Sequence, residues 1–394
     1  MNGRRIWRER WIGFHRWIGI VAGAVLVLVG LTGSLYVFVR EIRLALDPST
    51  QWVHVGERGR AGYLGWSEIL ATAELKKPAG TILSGIGGPL TEEESARVFY
   101  SPQDAGTHSS DFHELCFDPY TGAYLGESRL EDRWVWKICD FLFRLHYSLA
   151  LDDLGGRVVG IAAIIGLGSI VSGLYLWWPG FGRLRTAFVV HRNGAGVRRQ
   201  YDVHRVLGFY FSLSLGVLLL SGVWMNFNAQ FVGLVKWLSP GTQAGEPEAR
   251  GRVGEATRLT YDPSAILARI RAQFPEGHLN WASIPKDSLE PMVISFVEVP
   301  GSGIPHWSER TIYVDAASGE VLRVDDPARR RSWGESFLAW QWPLHSGRAF
   351  GWPGRMLVFL TGFVPLALYV TGLKVWWHKR RSKARHKGEA TLAA

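Results

Sequence analysis

Four runs of apolar residues, each about twenty long, interrupt a chain that otherwise alternates on a much shorter scale. They cover 17–39, 158–178, 206–224 and 356–377, with at most one charge in each. About 20 such residues, rising 1.5 Å apiece as a helix, cross the hydrocarbon of a bilayer, so each run predicts a transmembrane helix. The segments 40–140 and 227–340 read differently. They hold Pro, Gly and short alternating stretches, with helical patches such as 263–274, and predict two small α+β domains. The first run follows a basic leader, as a signal peptide would. It is too long for one and no A-x-A-like site follows it, so it is expected to stay as an anchor.

Charge orients the runs. Residues 1–16 hold five Arg against one Glu, the loop 179–204 five Arg against one Asp, and the tail 378–394 six Lys and Arg against one Glu. The positive-inside rule puts all three in the cytoplasm and the two long connections outside. The net charge of +9 is mostly this bias and does not argue for nucleic acid. Trp177, Trp178, Trp376 and Trp377 stand at run ends, as an interfacial belt requires.

The runs come in matched pairs. From His15 to the Gly33 of "LTGSLY" is 18 residues, and so is the step from His204 to the Gly222 of "LSGVWM". From His146 to the Gly173 of "SGLYLWW" is 27, as is the step from His345 to the Gly372 of "TGLKVWW". The outer segments match too. "FDPYTGAYLGE" from Phe117 and "YVDAASGEVLR" from Tyr313 both read as strand, turn, strand. The plan is a membrane protein, mainly α with α+β outer domains, made of four transmembrane helices in two parallel repeats. Its parts are a leader (1–16), helix (17–39), outer domain (40–140), outer ligand segment with helix (146–178) and loop (179–204). The second copy gives a helix (205–226), outer domain (227–340), outer ligand segment with helix (345–377) and tail (378–394).

Four histidines recur at those spacings. His15 and His204 stand at the cytoplasmic mouths of their runs, and His146 and His345 stand near the outer face. A twofold axis would set each pair face to face, with the symmetry of an iron held by two axial imidazoles. Such a closed site transfers electrons rather than binding O₂. The expectation is one haem between His15 and His204 and one between His146 and His345. The simpler reading is a set of boundary residues copied by duplication. Two His alone make a poor zinc site. Arg16, Arg205, Arg157 and Arg355 follow the histidines and would pair with haem propionates, or else grip lipid headgroups. Among the glycines, Gly19, Gly23, Gly30, Gly33, Gly208, Gly216 and Gly222 leave room for a macrocycle or for close helix packing.

The remaining histidines fit less well. His378 has Pro179 as its repeat mate and falls in the basic flank. His191 and His386 are expected in the solvated cytoplasmic parts, and His54, His108, His113, His278 and His306 in the outer domains. No C-x-x-C-H motif is present, which excludes c-type haem. G-x-G-x-x-G with a following helix, Walker loops and H-E-x-x-H are missing too. Electrons would therefore come from a separate cytoplasmic donor or a membrane quinol. Cys116 and Cys139 both fall outside, where a disulfide is open to them.

With the "FHRWIG" opening, "SGLYLWWP", "TGLKVWW", the "LH" lead-ins and the D-x-x-[ST]-G turns, the chain resembles the PepSY-associated transmembrane proteins, which include iron-regulated membrane proteins and ferric-siderophore reductases. The resemblance covers nearly the whole chain and is strongest at the helices. It implies four membrane helices, two PepSY-like periplasmic domains and two b-type haems, with His15, His204, His146 and His345 as ligands. It also implies electron transfer across the inner membrane to a ferric siderophore, freeing iron as Fe(II). Two other readings stand beside it. One keeps the haems but serves another periplasmic acceptor. The other is a haem-free regulator, since PepSY-like domains are associated with peptidase control.

Overall fold

A single helix, α1 (Gly3–Tyr36), carries the first apolar run in the computed structural model of the chain. The structure describes residues 3–103, 113–128, 132–181, 187–191, 196–245, 247, 262–286, 290–300, 304, 306–330 and 332–392. Among them, three helical spans are long and apolar enough to cross a membrane: Ile6–Tyr36, Asp152–Trp177 and Arg348–Ser382. They lie on α1, on α6 (Asp152–Trp177) and on α12 (Gly351–Leu392). The run at 206–224 is broken. It divides between α7 (Val197–Tyr210) and α8 (Ser212–Asn226), which meet at 62° and make a fourth span only if counted as one. Phe211 at the break has φ −96° and ψ 2°. The Ser212 hydroxyl donates to the Phe209 carbonyl at 2.7 Å, and Ser214 donates to that of Phe211 at 3.3 Å. Such back-bonding competes with the helix ladder and bends it.

These helices form one of two compact units, built from residues 1–39, 138–234 and 339–394. Within it α1 packs along α6 and α12, α6 packs along α8, and α12 packs along α7. Small residues allow the closest approach. Gly30 lies against the Gly362 carbonyl, and the Ser34 hydroxyl donates to the Phe359 carbonyl at 2.8 Å. In lipid, packing of this kind and interhelical hydrogen bonds replace the hydrophobic drive.

The second unit comprises residues 40–137 and 235–338. The first connection gives α2 (Val39–Leu46), α3 (Pro48–Gln51), α4 (Trp66–Lys76) and strands β1 (Thr81–Gly87), β2 (Ala96–Pro102), β3 (His113–Phe117) and β4 (Tyr124–Glu127). The second gives α9 (Asn228–Leu238), α10 (Pro263–Gln273), β5 (His278–Ser283), β6 (Met292–Val297), β7 (Glu309–Val314) and β8 (Val321–Asp325). The strands of both join in one antiparallel sheet, in the order β4-β3-β2-β1-β5-β6-β7-β8. At the junction Ile86 pairs with Ala282, and Gly85 leaves room for the Trp281 ring. α4 and α10 bury Ile69, Leu70, Ile266 and Ile270 with Ile86, Val98, Phe117, Ile294 and Ile312 in one core.

The two D-x-x-[ST]-G stretches are the β3–β4 and β7–β8 turns. The Asp118 carboxylate accepts from the Tyr120 amide at 2.8 Å, and that of Asp315 accepts from the Ser318 amide at 2.7 Å. Gly122 and Gly319 close the turns at φ 71° and 69°, a conformation that favours glycine. Cys116 is buried and free, and burial pushes its thiol up to about 11. Cys139 is also free.

Candidate functional site

Two further helices of the chain end in a histidine of interest. His146 sits in the last turn of α5 (Trp134–Ser148), and His345 ends α11 (Trp333–His345). The turns after them leave the helix through positive φ. The chain uses Gly347 at φ 74° after His345, and Leu149 and Ala150 at 52° and 55° after His146. Non-glycine residues there cost about 1–3 kcal/mol each, so the packing around this turn holds it in place. His15 lies on α1 and His204 on α7.

The structure brings the four rings together two by two. The centroids of His15 and His204 are 6.2 Å apart, with planes at 88°. Those of His146 and His345 are 6.1 Å apart, with planes at 59°. All four rings are half-buried. On α1, Val29 receives the His146 contact and is fourteen residues beyond His15. At 1.5 Å per residue the two pairs lie about 21 Å apart along the helix.

Each ring is held at Nδ1. His15 meets the Ser172 hydroxyl at 2.9 Å, and His345 meets that of Ser221 at 2.8 Å. His204 meets the Leu368 carbonyl at 3.0 Å and the Thr371 hydroxyl at 3.1 Å. His146 donates to the Val29 carbonyl at 2.8 Å. The bonds are reciprocal within each half: His15 of α1 reaches α6, and His146 before α6 reaches back to α1. Likewise His204 of α7 reaches α12, and His345 before α12 reaches α8. With Nδ1 engaged, Nε2 is the nitrogen for a metal, the usual division of labour in a ligating imidazole.

Glycines beside these partners make room for the rings. A Cβ on Gly173 would meet His15 Cε1 at 3.1 Å, and one on Gly372 would meet His204 Cε1 at 3.3 Å. A Cβ on Gly33 would strike the His146 ring at 2.5 Å. Gly222 has nothing within 4 Å, so the fourth position lacks this cradle. In the sequence these glycines read as spacing marks, and Gly33 and Gly222 also as room for a macrocycle or close packing, but the hydroxyl before each goes unread. The signal was present: Thr32-Gly33, Ser172-Gly173, Ser221-Gly222 and Thr371-Gly372 write the same dipeptide four times.

The arginines do not converge in the same way. Arg16 and Arg157 are exposed, and Arg16 lies 5.7 Å from the Trp17 ring. Arg355 donates to the Val37 carbonyl at 2.7 Å and stacks on Trp352 and Phe38. Arg205 donates to the Val189 carbonyl at 3.1 Å and lies 3.3 Å from the Asp202 carboxylate. Asp202 is fully buried on α7, a membrane-helix acid that the sequence reading counted with the loop. Its other oxygen takes the His191 Nδ1 at 3.0 Å, so His191 is exposed, as expected, and also tied to α7.

In the sheet unit, His113 stacks on Tyr100 at 5.1 Å. His278 Nδ1 lies 3.2 Å from Arg60 and 3.4 Å from Glu298. His54 and His306 are exposed, and His108 lies outside the described residues. Among the described residues no group of three or more His, Cys, Asp or Glu side chains could hold a metal. A metal at either histidine pair would therefore need donors besides these side chains.

The family profile described as PepSY-associated TM region matches residues 12–379. No curated protein matches the chain.

Proposed function

Because the chain belongs to the PepSY-associated TM family, we propose that it is a di-haem membrane reductase of two matched halves, holding one b-type haem between His15 and His204 and one between His146 and His345. The observation that carries this reading is the spacing of the paired rings. Two imidazoles on opposite sides of one metal, with bonds of about 2 Å, place ring centres on the order of 6 Å apart. The rings stand at 6.2 and 6.1 Å. The donor set agrees, since two protein ligands suffice only where a macrocycle supplies the rest.

Bound haem would supply one-electron redox chemistry at each level of the bundle. The chain's own residues do the positioning. Ser172, Ser221, Thr371 and two backbone carbonyls fix the ring planes and raise the basicity of the facing nitrogens. Gly33, Gly173 and Gly372 let the rings seat against their helices. The positive-inside rule, applied to the arginine-rich leader, loop and tail, supports a His15–His204 level toward the cytoplasm. The acceptor we assign is a periplasmic ferric siderophore, as the family resemblance implies. Hard oxygen ligands hold Fe(III) far better than Fe(II), so one electron releases the metal.

A reduced-minus-oxidised spectrum of the purified protein tests the cofactor, with a pyridine haemochrome assay to count it. The expected result is a low-spin b-type spectrum and two haems per chain, with one lost in His15→Ala and the other in His345→Ala. A colourless preparation from haem-replete cells overturns the reading and favours the haem-free regulator. Ferric siderophore should reoxidise the reduced protein; failure to do so shifts the acceptor to another periplasmic partner.

A further inference from the structure

A groove of about 480 Å³ opens between the start of α7 and the later turns of α12. Val197 and Gln200 line it from α7, and Leu373, Lys374, Trp377 and His378 line it from α12. It adjoins the His15–His204 pair. Gln200 is one turn before His204 on the same helix. Leu373 follows Thr371 and Gly372, the residues against which the His204 ring is set.

The matching place in the other half carries two aromatic rings in contact. Aligning His204 with His15 sets Gln200 against Trp11. Aligning Gly372 with Gly173 sets Lys374 against Tyr175 and His378 against Pro179. Trp11 and Tyr175 pack with ring centroids 5.3 Å apart. One half thus closes with two aromatic rings where the other opens and presents an amide, an ammonium and an imidazole. Packing alone favours the closed version, so the open one calls for an occupant.

We propose that this groove binds a membrane quinol and is where electrons enter the protein; the assignment rests on the His15–His204 pair being a haem site. A quinol is a flat ring, apolar on its faces, with two opposed hydroxyls. Trp377 offers a flat wall, Gln200 a donor and acceptor, and His378 a nitrogen that takes a hydroxyl proton. Lys374 and Arg381, whose guanidinium lies 5.2 Å from the Trp377 ring, favour negative charge as it develops on the ring oxygens. The α12 side of the groove belongs to the apolar span Arg348–Ser382, where a lipid-soluble donor collects. In the reaction both O–H bonds break and the ring becomes a dione. The two protons leave through His378 to water, and the two electrons would pass singly to the one-electron acceptor that His15 and His204 would hold, enough for both levels.

The test uses the full chain in detergent and a ubiquinol with a short alkyl tail, or its quinone. Binding is followed by equilibrium dialysis, and haem reduction by stopped-flow absorbance, with dithionite as the control reductant. The variants are His378→Ala, and Gln200→Trp combined with Lys374→Tyr, which copies the closed half. Each should weaken quinone binding and slow reduction by quinol about tenfold or more, with haem content and dithionite reduction unchanged. Binding and reduction within about twofold of the unaltered protein overturn the assignment. So does a groove that retains anionic phospholipid but no quinone. Haem-loaded protein that dithionite reduces and quinone ignores sinks the groove and leaves the reductase standing. Haem-free protein whose quinone binding depends on these residues sinks the reductase and leaves the groove as a quinone site.

Discussion

The helical unit and the sheet unit turn their large apolar side chains in opposite directions. In the sheet unit, Ile86, Phe117, Ile294 and Ile312 are wholly inside, and charges buried near them are paired, as Arg310 is with Asp326 at 3.1 Å. In the helical unit, Ser34, Ser172, Ser221 and Thr361 are buried, while Val21, Val171, Leu213 and Leu360 face outward. The sheet is held by removing apolar surface from water. The helices have lipid outside, which is as apolar as leucine, and gain little by hiding their valines. Their specificity comes from close backbones and interhelical hydroxyl bonds. The histidine pairs take advantage of this. Hydroxyls that join helices also orient the imidazoles, so assembly of the bundle and assembly of the site are one event.

The comparison breaks most sharply at Phe117. Phe117→Ala in the sheet core should lower stability by about 3–5 kcal/mol, seen as an earlier thermal transition of the full protein in detergent. A harmless substitution there would mean that the sheet is not held by its core. Gly362→Leu should wedge α1 from α12 at their closest point and cost about 1–3 kcal/mol or more. On the di-haem proposal it should also reduce haem content, because α1 carries His15 and the carbonyl that holds His146, and α12 carries the groups that hold His204. Ser172→Ala removes the His15 partner. We expect about 1 kcal/mol of stability and roughly tenfold weaker haem retention. Retention would be measured by transfer to apomyoglobin, and an unchanged rate would show that the hydroxyl does not orient the ligand.

Acid sharpens the contrast further. Burial, and then Arg60, lower the pKa of His278 in the sheet unit; Glu298 opposes them and Arg271 adds to them. The fold thus prefers the neutral ring. As pH falls through 6.5, the value of the free imidazole, the unfolded chain takes up protons first and the sheet unit loses stability. Melting at pH 7.5 and 5.5 should show this loss, and His278→Gln should reduce it. The smallest effect is expected at Arg157, which is exposed. Arg157→Ala should stay within about 0.5 kcal/mol and keep its haem. Marked haem loss would restore that arginine as a propionate partner.

Much of this plan is legible in the sequence, and the rest is hidden for physical reasons. Apolar runs announce membrane helices because length and hydropathy suffice. The four histidines stand out because their spacings recur, and the D-x-x-[ST]-G turns because their chemistry is local. The break at Phe211 is harder to read, since serine back-bonding is common in straight membrane helices as well. The junction of β1 with β5 is harder still. Alternation marks both strands, but their partnership depends on Gly85 making room for Trp281 across nearly two hundred residues of chain. Arg205 followed the histidine as a propionate partner should, and its neighbour Asp202 is what it meets. Sequence gives an arginine's position but not which of several nearby acceptors it will reach.

The central strand pair also sets a clock on biosynthesis. β1 leaves the ribosome roughly 190 residues before β5, and at about 5–20 residues per second its partner arrives some ten to forty seconds later. For that interval the half-finished sheet shows a bare, glycine-bearing edge, the kind of surface that recruits strands from other chains. Slowing translation between the two segments should therefore raise aggregation of this protein, while lowering temperature without slowing the ribosome should not. A membrane protein whose halves meet in one sheet is vulnerable during synthesis in a way that its finished form conceals.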